Sequence, residues 1–104
     1  MRTLLRPPAL ESAASALAAQ LKPYVVLLDE GRITMEEVNN IYNDQFKERV
    51  LEVAESANRA GSGVDVSFIV TSTLVVNRLH LASIVNALSK IADDNSASVS
   101  LIPA

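Results

Sequence analysis

The segment from Gly31 to Ala60, GRITMEEVNNIYNDQFKERVLEVAESANRA, constrains this chain most, because it encodes a helix longer than a small domain is wide. Its start is specified three ways. Thr34 is an N-cap residue, Glu37 three positions on completes a capping box, and Ile33 is placed to pack on Val38 as a hydrophobic staple. From there Met35, Val38, Tyr42, Phe46, Val50, Val53, Ala57 and Ala60 recur at steps of three and four, which at about 100° per residue form one apolar stripe. Asp44, Lys47, Glu48 and Glu55 fall on the opposite face, and Gly61-Ser62-Gly63 stops the helix. A helix over 34–60 spans about 40 Å, whereas a compact chain of this length has a radius of gyration of about 13 Å. Part of the stripe is therefore expected to need a second chain to cover it.

Around this helix the chain reads as a single domain over 1–104, helical in its first half and β-α-β in its second. Residues 1–8 form a tail or an edge strand, closed off by Pro7-Pro8. Ala9 to Leu21 has high helix propensity and a narrow stripe of Leu10, Ala13, Ala14, Leu17, Ala18 and Leu21. Pro23 predicts either a new short helix over Tyr24 to Glu30 or a kinked continuation, capped by Gly31, although the run YVVLL also suits a buried strand. Beyond the glycines, V-D-V-S-F-I-V from Val64 to Val70 alternates as a strand does. A helix is predicted from about Leu74 or Asn77 to Ala92, with Leu81, Ile84, Val85, Leu88 and Ile91 inward. Asp93-Asp94-Asn95-Ser96 reads as a turn, followed by a second alternating strand from Ala97 to Ile102. The fold class predicted is α+β. Its sheet is too small to stand alone, so its edges are expected to be completed by dimerisation.

Composition narrows the chemistry. A hydrophobic content of 49% with 20% charged residues describes a folded domain with an aliphatic core, since there are only two Phe, two Tyr and no Trp. No cysteine is present, which removes disulfides and thiolate sites and suits a reducing compartment, so the cytoplasm is expected. The longest apolar run, Tyr24 to Leu28, is too short to cross a bilayer. A net charge of −3 opposes nucleic-acid binding. Tyr24 to Phe46 has the order of a helix-turn-helix, but Met35-Glu36-Glu37 would set carboxylates against phosphates.

No catalytic motif stands out. His80 lies among Arg78, Leu79 and Leu81 and reads as a surface or core-edge residue; Glu48, Glu52 and Glu55 share their face with Lys47 and Arg49 as a solvated surface. The pair Asp93-Asp94 lacks the glycine and distal glutamate of a calcium loop, and Gly61-Ser62-Gly63 lacks the lysine and following helix of a phosphate loop. No enzyme activity, cofactor or metal is expected. The remaining reading is a small regulatory or adaptor protein, for example an inhibitor of a transcription regulator or a phage or plasmid accessory factor, that binds a protein partner and pairs with itself. The residues expected to carry contact are Ile41, Tyr42, Phe46 and Leu51 on the long helix and Val99 and Leu101 on the last strand. The competing reading is an enzyme or ligand-binding module with a site between subunits, drawing on Tyr42, His80 and the pair Glu48 and Glu52.

Overall fold

Every regular element among the described residues is helical, and the reason lies in how the helix ends are written. The computed structural model describes residues 5, 9–71, 75 and 77–101, and their side chains apart from those of 71 and 94–101. The elements are α1 (Ala9–Asp29), α2 (Met35–Ile41), α3 (Lys47–Arg59), α4 (Ser67–Thr71) and α5 (Arg78–Leu101); a π-helical turn, Tyr42–Phe46, joins α2 to α3 without a break.

Thr34 caps α2 as its sequence requires, its hydroxyl accepting from Glu37 N–H while the Glu37 carboxylate accepts from Thr34 N–H, at 3.1 and 3.0 Å. The bonds that the Glu37 carboxylate accepts from Thr34 N–H and from the Thr34 hydroxyl hold it below the usual range. Both glycine stops are Schellman ends. Gly31 and Gly61 take positive φ of 69° and 71°. In α1, Arg32 N–H reaches the Leu27 carbonyl and Gly31 N–H that of Leu28; in α3, Ser62 N–H reaches Ala57 and Gly61 N–H reaches Asn58.

The rod from Met35 to Arg59 forms where the stripe predicts, but not as plain α-helix. Val38, Tyr42, Phe46 and Val50 follow one another at four-residue steps, and each such step overshoots a full α turn by about 40°. The π turn takes in an extra residue, with Lys47 N–H bonding the Tyr42 carbonyl five residues back. Phe46 is thereby returned towards the core side, and Tyr42 and Phe46 are both buried. Arg49 secures the widened turn, donating to the Gln45 carbonyl at 2.7 Å and lying 5.3 Å from the Phe46 ring centre.

Two expectations are corrected, and one choice is decided. At Pro23 the chain takes the continuation rather than a new helix: α1 runs through it to Asp29. Proline inside a helix costs about 3 kcal/mol, but Leu21 on one side and Tyr24, Val25 and Leu28 on the other pack into one core, and their burial outweighs that cost. The strand expected from Val64 to Val70 is loop followed by α4. Asp65 Oδ1 accepts from both Ser67 N–H and Ser67 Oγ–H, at 3.0 and 2.7 Å, which turns the chain, and the buried residues Val66 and Ile69 then have helical spacing. The last strand and the turn before it are also helix, since α5 continues through 93–96 to Leu101. No glycine or proline lies between Asn77 and Pro103, so the polar cluster contains no breaker. Among the described residues there is no strand, and the α+β assignment falls with the sheet. Of the residues 1–8, only Leu5 is described.

The core forms between α1 and α5, which make the most extensive contact, with the central rod packed against both. Leu10, Leu17 and Leu21 of α1 meet Leu81, Ile84, Leu88 and Ile91 of α5, and Val50, Val53 and Ala57 complete the interior. Asp29 and Arg78 tie the end of α1 to the start of α5, so the two run antiparallel. Asn39 plays the part of a strand for the link before α5: its side chain donates to the Val75 carbonyl and accepts from Val75 N–H, at 2.8 and 2.9 Å. Ser56, a buried polar side chain, accepts from Leu5 N–H. The body measures 48 × 30 × 18 Å, long enough to carry the rod along its own axis.

Candidate functional site

Two exposed apolar side chains lie near the joint where α1 ends and α5 begins. The Asp29 carboxylate grips the Arg78 guanidinium with two bonds, Nε to Oδ1 at 2.7 Å and Nη2 to Oδ2 at 2.9 Å, and the pairing raises the Arg78 pKa. Asn77 caps α5, accepting from His80 N–H, and so fixes the direction in which the first turn points. On this frame Leu79 is 69% exposed, and Val26, one turn before Asp29, is 46% exposed. The surrounding run Tyr24 to Leu28 is the most apolar in the chain, yet no member of it is fully buried. Sequence reasoning passed over these residues, although a signal was present. At about 100° per residue, Leu79 falls opposite the inward stripe of Leu81, Ile84, Leu88 and Ile91.

The residues expected to meet a partner are placed differently. Tyr42 and Phe46 are only 6% and 5% exposed and sit inside this chain's own core, where Phe46 makes an edge-on contact with Tyr24 at 6.2 Å. Burial pushes the Tyr42 phenol up to about 12. Ile41 and Leu51 flank the stripe and pack against the same core. Val99 and Leu101 lie in α5, not in a strand, and their side chains are outside the described residues. Both supports for a homodimer, the unfinished sheet and the uncovered stripe, are therefore gone.

Beside α4 there is a depression of about 640 Å³. One wall is the 62–65 loop with Phe68; the other is the outward side of α5, carrying Ser83, Asn86, Lys90 and Asp93 at helical spacing. Asp65 is oriented by its bonds to Ser67, which also lower its pKa. His80 does not line this depression; its ring leans on Phe68 at 6.0 Å. Among the described residues no three His, Asp or Glu side chains converge to hold a metal ion, and no helix is long and apolar enough to cross a membrane. No protein family, curated protein or solved structure matches the chain.

Proposed function

We propose that this protein is a cytoplasmic adaptor or regulatory protein that works by binding another protein at the joined ends of α1 and α5. The observation that carries the reading is Leu79, an apolar side chain 69% exposed on a braced helix start, with Val26 46% exposed across the Asp29–Arg78 pair. The turn that carries Leu79 is fixed by the Asn77 cap and the Asp29–Arg78 pair, so a partner that covers the side chain orders little backbone and gains about 1.5–3 kcal/mol of apolar burial. The neutralised ion pair beside it gives the partner a rim without net charge. The adaptor reading needs no catalytic group, and the carboxylates of the central rod remain a solvated face.

A photoreactive amino acid at position 79, compared with the same group at exposed Asn58 on α3, tests the proposal. The expected result is a discrete heteromeric adduct from position 79 in host cells, lost when Val26→Asp is added while circular dichroism stays unchanged. An adduct at the mass of two copies would replace the adaptor with self-association. Equal labelling from both positions would refute the surface altogether.

A further inference from the structure

We propose that the depression between the 62–65 loop and α5 is a binding site for a basic amino acid, free or as the C-terminal residue of a peptide. Its volume of about 640 Å³ is in the range of small-molecule sites. The argument rests on the charges that line it. Asp65 and Asp93 contribute two carboxylates and Lys90 one ammonium. The complementary ligand carries a cation for the carboxylates and a carboxylate for Lys90, which is the charge pattern of arginine, lysine or ornithine with a free carboxyl end; the free amino acid adds a second cation at its α-ammonium.

The walls suit that ligand in detail. Both bonds from Ser67 go to Asp65 Oδ1, so Oδ2 of the same carboxylate is left for an incoming cation. A carboxylate already oriented by these bonds loses less rotamer freedom on meeting a guanidinium, from which it can accept charge-assisted bonds. Ala87 lies between Ser83 and Lys90 on the α5 wall, so an aliphatic stem can approach the helix closely. The half-buried Phe68 ring supplies an apolar surface for the same stem. Asn86 and Ser83 add amide and hydroxyl groups beside Lys90, suited to the ligand's carboxylate.

Titration of the isotope-labelled protein with L-arginine, followed by amide NMR shifts, tests this proposal. Saturable shifts are expected at 62–68 and 83–93, and Asp65→Asn and Lys90→Gln should each weaken them about tenfold or more. Agmatine, which lacks the carboxylate, should bind wild type more weakly than arginine and should lose nothing further in Lys90→Gln. The amide oxygen introduced by Asp65→Asn can still accept from Ser67, so that variant keeps the loop turn, and circular dichroism verifies the fold of both. A dipeptide ending in arginine separates the two sources: tighter binding than free arginine assigns the site to peptide ends, and weaker binding assigns it to the free amino acid. Shifts that fail to saturate by about 10 mM, or that persist unchanged in both variants, overturn the assignment.

Discussion

The π turn can be tested by removing one residue. Asn43 is exposed within Tyr42–Phe46, and a π turn in a continuous helical rod is an α-helix with one residue inserted. Deleting Asn43 should let the rod close as uninterrupted α-helix, leaving α2 and α3 on their present faces. The expected change in stability is about 1 kcal/mol or less. A deletion elsewhere in the rod has no such escape. Removing Glu52 turns the following residues by about 100°, placing Glu55 where Ala54 is and Asn58 where Ala57 is, both positions 0% exposed. An unpaired buried carboxylate costs several kcal/mol, and the loss of Val53 from the core adds about 1.5–3 kcal/mol. Against a total stability of about 5–15 kcal/mol, that variant should not fold. Far-UV circular dichroism with urea unfolding compares the two. The reasoning is refuted if the Asn43 deletion loses its cooperative transition as the Glu52 deletion does.

Asn39→Ala should cost about 2–6 kcal/mol, because Val75 N–H and C=O are left without partners at about 1–3 kcal/mol each, on a residue with no exposed surface. Asn39→Asp keeps the acceptor but sets a carboxylate against the Val75 carbonyl, so its stability should rise as pH falls and the acid can donate. A urea midpoint for Asn39→Ala equal to wild type would show that the Val75 clamp carries no weight. Tyr42 should make the fold sensitive to alkali. Its phenol ionises near 10.0 when unfolded and at about 12 when buried. The unfolded chain therefore releases its proton first, and stability falls as pH rises across that interval, by up to about 1.4 kcal/mol per pH unit. Tyr42→Phe should remove that part of the slope, and parallel slopes for the two proteins would contradict it.

Helix ends were legible because each is a local device. Thr34 with Glu37, Gly31 and Gly61 act within a few residues of themselves, and all three form as written. The inward set of α5 was legible for the related reason that five apolar residues at helical spacing admit one arrangement. The strands failed where the pattern was ambiguous. V-D-V-S-F-I-V satisfies a period of two through Val64, Val66, Phe68 and Val70, yet Val66 and Ile69 also satisfy a helical step, and the Asp65–Ser67 bonds decide between them. Asp93 to Ser96 was read as a turn on polarity alone, whereas a helix passes through polar residues freely when no glycine or proline intervenes. The π turn was not legible: three successive four-residue steps from Val38 to Val50 drift by about 120°, a width that a single apolar stripe on plain α-helix also accommodates.

Neither candidate surface was legible, because each joins residues from separate elements. Yet α5 connects them. Taken at about 100° per residue, Leu79, Ser83, Asn86, Lys90 and Asp93 lie on one face of that helix, opposite the stripe that packs on α1. Leu79 to Lys90 covers about 16 Å of helix, so a partner anchored on Leu79 has room to lay a chain end along the same face. If the partner supplies the basic residue itself, Leu79→Ser and Lys90→Gln weaken one binding event, and their effects couple. If the depression takes a free amino acid, the two substitutions act on separate equilibria, and arginine binding survives Leu79→Ser unchanged. Neither side chain is part of the core, so both variants should unfold within about 0.5 kcal/mol of wild type, and a double-mutant cycle on binding reads the coupling without a stability correction.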